Sequence, residues 1–346
     1  MSFLATLQSE VLAFFGLTDW ITMIQSNDYS DLRTANGLFK ALAPLLAALL
    51  LVEVVRAIWA RTFDYRQYRS IALIYAFNRL ISTWLSLGAI AFTIGLLIPF
   101  APFSVELTWY GLIYGYIVWE LGHFIFHYLA HKVRLLWCLH STHHAPESMN
   151  LLVGHSHFVL EGPYADFVRT SVCILLGLSP PLLILIMTID GLWGFFVHAG
   201  ENIIKDGRLG RLNSWILTPS HHRVHHARNP LYLDTNFCNL LNIWDRIFGT
   251  LQHERVEVPL EYGIRRDVDV GSFLDIYFGE IVLLTRDIRR APRFADKIRY
   301  LVMPPGWSHT GEHKTAAALR ASLDQRPHLI ADGEARVNPQ RSNRRS

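Results

Sequence analysis

The sequence predicts an all-α integral membrane protein, with about four transmembrane helices as two hairpins and a histidine-rich cap on the cytoplasmic side. Three observations carry that expectation. Hydrophobic residues make up 51% of the 346 and charged residues only 18%, against about 25% charged in soluble domains. Several apolar runs approach the roughly 20 residues a helix needs to cross a hydrocarbon core. Seventeen histidines are present, and thirteen of them fall between residues 123 and 226.

Residues 7–24, "LQSEVLAFFGLTDWITMI", are apolar on one side and carry Glu10 and Asp19. They read as an amphipathic helix at the membrane interface, within an N-terminal segment 1–37. The opening "MSFLATLQSE" has no positive n-region, so no cleavable signal peptide is expected. Residues 38–60 form a first span, with Glu53 and Arg56 placed to pair on one face. The loop "RTFDYRQYRS" follows, and its Arg61, Arg66 and Arg69 assign it to the cytoplasm by the positive-inside rule. Residues 80–100 form a second span. The next loop, "PFAPFSVELT", has no Lys or Arg and faces outward.

A third span over 107–126 returns to the cytoplasmic side and delivers "HFIFHYLAHKVR" there. Residues 166–200 are apolar again, but "LSPP" interrupts them. Pro180 and Pro181 break helical hydrogen bonding, so this run predicts a helical hairpin ending at His198. Every histidine cluster therefore lands on one face of the bilayer. Residues 38–252 make the membrane domain with its histidine boxes, 253–324 a cytoplasmic C-terminal cap, and 325–346 a disordered basic tail. The net charge of +3 is small, which argues against a nucleic-acid partner. Cys138, Cys173 and Cys238 form no CxxC pair and no disulfide framework. Oligomeric state is not legible.

The histidine spacing has a specific form. "HYLAH" sets His127 and His131 four apart on one helix face, and His123 extends that stripe by a turn. "HSTHH" gives His140, His143 and His144, which share a face at i, i+3 and i+4. "HHRVHH" gives two i, i+4 pairs, His221 with His225 and His222 with His226. Three separate segments thus each offer two or more imidazoles on one face, which points to metal binding. A proton relay is the alternative, but it needs a chain of single groups rather than clustered pairs. Imidazole suits Zn, Cu, Fe and Ni alike. A catalytic zinc needs only three protein ligands. Eight or more histidines exceed that need and favour two ions.

The order HxxxH, HxxHH, a lone histidine, then HxxHH resembles the fatty acid hydroxylase and sterol desaturase superfamily of membrane di-iron oxygenases. "LWCLHSTHHAPESMN" and "TPSHHRVHHARNPLYLDTNFCNLLNIWDRIFGT" resemble its second and third boxes with their flanks. The flank "HHARNPLYLDTNF" is most similar to the branch containing alkylglycerol monooxygenase. The resemblance covers about 107–252. It implies iron ligands at His127, His131, His140, His143, His144, His222, His225 and His226, with His198 as the isolated histidine. His221 stands beside the third box as a ligand or a supporting group. Asp234 and Asn236 match the acidic–asparagine pair after that box, and Asp245 its "WDR" signature. This chain departs from the pattern at His123 and Tyr128 in the first box. It departs again at "VGHSH", where the family often carries Ala and Arg, and which leaves His155 and His157 as extra ligands, substrate-side polar groups or neither.

A ligating imidazole usually gives its other N–H to a carboxylate or carbonyl. Glu120 and Asp190 lie seven and eight residues before His127 and His198 and inside spans, where a carboxylate marks function by default. Asp234, Asn236 and Asp245 are the candidates from the polar side. A site at the membrane face can receive a lipid substrate (acyl, alkyl or sterol-like) from the bilayer. The expected activity is O2-dependent hydroxylation with two Fe ions. A desaturase on the same site and a histidine-rich metal transporter or sensor are the alternatives. Since the chain carries no haem, dinucleotide or iron–sulfur motif, an external electron donor is needed. The location expected is a bacterial inner membrane or its equivalent.

Overall fold

The computed structural model describes residues 5–6, 8–9, 12, 17–28, 30, 35–79 and 81–324. The chain divides into two compact units, Met1–Phe63 and Asp64–Ser346. The expected tail, 325–346, lies outside the described residues, as does much of the segment before residue 17.

The first unit contains α1 (Leu17–Ser26) and α2 (Ala35–Trp59), which pack against each other. α1 buries none of its residues, consistent with an amphipathic surface helix. α2 is continuous through Pro44.

The second unit is helical, and among the described residues pairing is limited to isolated bridges such as Val105 with Leu178. α3 (Tyr65–Arg79) starts where the Asp64 carboxylate accepts from Arg66 N at 2.9 Å, an N-terminal cap. Its buried Gln67 accepts from Glu147 N and Ser148 N, tying α3 to the turn after the second histidine box. α4 (Ser82–Leu97) is apolar on nearly all sides, with Trp84, Leu87 and Phe92 exposed. Among the described residues, Ser82–Phe100 is the one helical stretch long and apolar enough to cross a membrane by that measure alone.

The expected third span and the first histidine box are a single helix, α5 (Trp109–Lys132). One face of it is buried along its length and carries Glu120, His127 and His131. These polar groups are why α5 does not stand alone as an apolar span. α7 (Glu161–Leu175) and α8 (Pro180–Phe196) are separate helices. The break falls where Pro180 and Pro181 predicted it, and the prolines occupy the first turn of α8, where a missing N–H costs nothing. α5 packs on both: Trp119, Cys173, Ile174, Leu182, Leu183 and Ile186 form one buried cluster. Gly122 lets α5 and α7 approach, since a Cβ there would sit 3.1 Å from Arg169 Cα.

α6 (Arg134–His144) and α9 (Pro219–His226) hold the remaining histidine boxes, and α10 (Ile243–Ile247) follows α9. α11 (Phe273–Arg290), α12 (Phe294–Val302) and α13 (Ala316–Asp324) complete the chain. α11 and α12 pack on α6 through Cys138, Leu284, Ala291 and Tyr300. A buried ion network reinforces that contact, with Arg266 Nε 3.0 Å from Glu280 and Arg134 3.5 Å from the same carboxylate.

Candidate metal centre

Nine buried or nearly buried histidines converge in two groups. His127 and His131 from α5, His140 and His144 from α6 and His225 from α9 form the first. His143 from α6, His198 just beyond α8, and His222 and His226 from α9 form the second. Within each group the candidate ligand atoms all lie within 4.8 Å of one another. Sequence neighbours go to different groups: His143 and His144 split, and so do His225 and His226. The two groups are therefore adjacent, with the His144 and His226 rings stacked at 4.4 Å.

Oxygen acceptors behind the rings fix their orientation. His127 Nδ1 lies 2.9 Å from the Phe237 carbonyl, and His225 Nδ1 lies 2.8 Å from that of Thr235. His198 Nδ1 is 2.6 Å from the Gly194 carbonyl, and His140 Nδ1 is 2.7 Å from Glu161 Oε1. A neutral imidazole that donates from Nδ1 presents a lone pair at Nε2. Yet His127 Nε2 and His140 Nε2 face each other at 3.0 Å. Two lone pairs do not meet at that distance without a cation between them. His131 Nε2 and His225 Nε2 are buried with no partner at all. The donor set therefore fits a metal ion in the first group.

The spacings carry information on geometry. Further Nε2 pairs stand 3.1 Å (His140–His144), 3.2 Å (His143–His198), 2.9 Å (His198–His222) and 3.0 Å (His222–His226) apart. At a metal–nitrogen distance of about 2.1 Å, ligands at right angles have nitrogens about 3.0 Å apart, and tetrahedral ligands about 3.4 Å. Taken together, these five close pairs lie nearer the right-angled spacing. Burial holds His143, His144, His222, His225 and His226 well below the ordinary imidazole range, with neighbouring imidazoles adding to the shift. These rings are neutral at physiological pH, the form that ligates.

The polar residues singled out in the sequence hold backbone more than they hold imidazole. Glu120 accepts from Asn239 N at 2.9 Å, Leu240 N at 2.6 Å and Leu241 N at 2.7 Å. Asp245 accepts from Phe237 N, Cys238 N and Thr250 Oγ1. Together they clamp the segment 237–241, whose first carbonyl orients His127. Asp234 and Asn236 have φ of 55° and 58°, a left-handed conformation that Asp and Asn tolerate better than most residues. That pair of turns aims the Thr235 carbonyl at His225. Asn236 also donates to the His221 carbonyl at 2.9 Å. Asp234 lies 3.5 Å from His131 Nδ1 and bonds Lys132. Burial alone would raise its carboxyl, but His131 and Lys132 together hold it below the usual carboxylate range.

Asp190 accepts from Tyr116 Oη at 3.3 Å and stands 4.0 Å from His123, away from both groups. His221 also lies outside them. Its Nδ1 faces Thr218 N and Oγ1 at the start of α9, and its Nε2 lies 2.9 Å from His253. His155 stands beside Tyr75, its ring tilted 5.0 Å away. The sequence pattern missed Glu161. An acidic residue in the first turn of a helix reads as a helix-dipole partner, and nothing in its spacing ties it to His140.

A helical scaffold that gathers nine imidazoles into two adjoining groups has the donor set to hold metal ions. Residues 112–250 match the family model described as fatty acid hydroxylase. That region, which holds all nine histidines, is similar to fatty acid hydroxylase domains. Human alkylglycerol monooxygenase is 31% identical over 206 residues, covering 60% of this chain and 44% of that protein. The Danio rerio protein of the same name is 30% identical over 207 residues with the same coverage. The ornithine lipid hydroxylase OlsE of Rhizobium tropici is 27% identical over 161 residues, 46% of this chain and 47% of its own. The chain thus spans under half the length of these curated relatives. No solved structure matches it.

Proposed function

We propose that this protein is a membrane-bound, iron-dependent monooxygenase that hydroxylates a C–H bond of a lipid. The observation that carries the reading is the convergence of nine imidazoles in two groups, four of them with an oxygen fixing the ring from behind. In the first group, His127, His131, His140, His144 and His225 are the proposed ligands. In the second they are His143, His198, His222 and His226. Nine imidazoles in two adjoining groups exceed the three protein ligands of a catalytic zinc and suit iron. Two ferrous ions, when bound, supply the electron-transfer chemistry that reducing O2 requires.

The chain's own residues orient and exclude. Glu120, Asp245, Asp234 and Asn236 hold the 234–241 segment so that its carbonyls fix His127 and His225. Burial of the rings keeps them neutral and keeps water from the centre. α2, α4, α5 and the α7–α8 pair are the proposed membrane spans, with the centre on the cytoplasmic face together with Arg66, Arg69 and Lys132. The relatives are named for alkylglycerol and ornithine lipid, so the proposed substrate is a lipid carrying a long alkyl or acyl chain. Electrons come from an external donor.

The test is direct. Purified protein loaded with iron and given a reductant and bilayer lipid should consume O2 and yield lipid heavier by one oxygen. Loss of two hydrogens would identify a desaturase instead. Metal moved across a vesicle with no oxygen uptake would overturn the oxygenase reading.

A further inference from the structure

Glu161 is 3% exposed and lies outside every histidine motif. One of its oxygens, Oε1, takes two imidazoles: His140 Nδ1 at 2.7 Å and His157 Nδ1 at 3.0 Å. The other ring nitrogen of His157 lies 3.0 Å from the Gly154 carbonyl, so this ring is anchored at both ends. Its face then stacks on His143 at 4.5 Å and 10°. One carboxylate and one imidazole thereby touch both groups, His140 in the first by a hydrogen bond and His143 in the second by a ring face. His143 has no partner at Nδ1, so the stack stands in for an oxygen such as the Gly194 carbonyl that His198 has. His157 belongs to "VGHSH", a stretch where this chain departs from the pattern it otherwise resembles.

Within the first group, His140 is the ring whose Nδ1 meets a carboxylate at hydrogen-bond distance. His127 and His225 meet carbonyls, and Asp234 stands 3.5 Å from His131. A carboxylate makes the imidazole a stronger donor than a carbonyl does. A buried carboxylate is costly unless matched, and His157 supplies the match.

We infer that Glu161 and His157 form a brace that makes the two metal sites unequal: Glu161 fixes and strengthens His140 in the first, and His157 positions His143 in the second. Both act as positioning residues. The inference rests on reading the groups as metal sites, and its test separates the two.

Metal-free full-length protein in detergent is titrated with Co2+ and followed by calorimetry and visible absorption. Wild type is expected to take up two ions. In Glu161→Gln, which keeps the shape and removes the charge, the affinity of one site should fall roughly 10- to 100-fold. The absorption bands of that site alone should shift. His157→Phe keeps the stack and loses the bond to Glu161, so it should weaken the same site by less. His157→Ala should weaken both sites. Wild-type affinities and bands in Glu161→Gln, or equal weakening of both sites, would overturn the brace. If Glu161→Gln fails to fold, as judged by its metal-free melting curve, His157→Phe decides, and unchanged affinities there overturn it. Uptake of fewer than two ions by wild type would remove the metal-site reading itself.

Discussion

The two histidine groups draw on the same helices α6 and α9, yet they differ in what stands behind them. In the first, Phe237, Thr235 and Glu161 oxygens fix three of the five rings, and Asp234 stands near a fourth. In the second, His198 bonds the Gly194 carbonyl while His143 Nδ1 has no partner and leans on His157. The first group thus offers five rings, three of them anchored by oxygen at hydrogen-bond distance, and the second offers four, with His143 unanchored at Nδ1.

Replacing a ring in each group tests that contrast with the largest expected effect. His140→Ala and His143→Ala should each lower bound iron from two ions to one and bring lipid hydroxylation to background. Elemental analysis and lipid mass spectrometry of the purified variants check this. Loss of both ions from either substitution alone would mean that the groups behave as a single unit. Next comes Asp245→Ala, which strips buried Phe237 N, Cys238 N and Thr250 Oγ1 of their acceptor. The expected cost is about 3 kcal/mol or more. The ion of the first group should be lost preferentially, because its carbonyl anchors sit on that segment. Melting curves with and without metal read both effects.

Acid gives a smaller and graded separation. Burial depresses His143, His144, His225 and His226 in the folded, metal-free protein, so the unfolded chain takes up protons first as pH falls. Their stabilisation is complete above about 6.5 and is lost progressively below it. Asp234, held low by His131 and Lys132, stays charged through that window. The first group should therefore release its ion at lower pH than the second, as metal content after dialysis between pH 7 and 5 would show. The smallest effect is expected from His221→Ala. It removes a hydrogen bond at the start of α9, worth about 1 kcal/mol, and should leave both ions in place. A fall to one ion would make His221 a ligand after all.

Periodicity carried far because helical spacing fixes which residues share a face. His127 with His131, and His222 with His226, follow from four-residue steps alone, and Pro180–Pro181 announced the break between α7 and α8. The partition of His143 from His144, and of His225 from His226, was not legible. It depends on how α6 and α9 face each other across the centre, which no local pattern records. Glu120 and Asp245 looked like partners for imidazole because carboxylates near histidines usually are. They hold backbone N–H groups instead, because the strandless segment 237–241 has no ladder to satisfy them. Glu161 lay in a gap between motifs, and its link to His140 crosses a turn whose geometry composition does not specify.

The clamp on that segment has a consequence for how the protein is made. Glu120 is synthesised 119 residues before Asn239, the first of the three amides that satisfy it. At about 5–20 residues per second, this acid waits on the order of 10 s inside α5 for its permanent neighbours. During that interval the newborn helix is complete but the histidine groups cannot assemble, so any metal uptake would be a late event in biogenesis, gated by the arrival of a short stretch of chain.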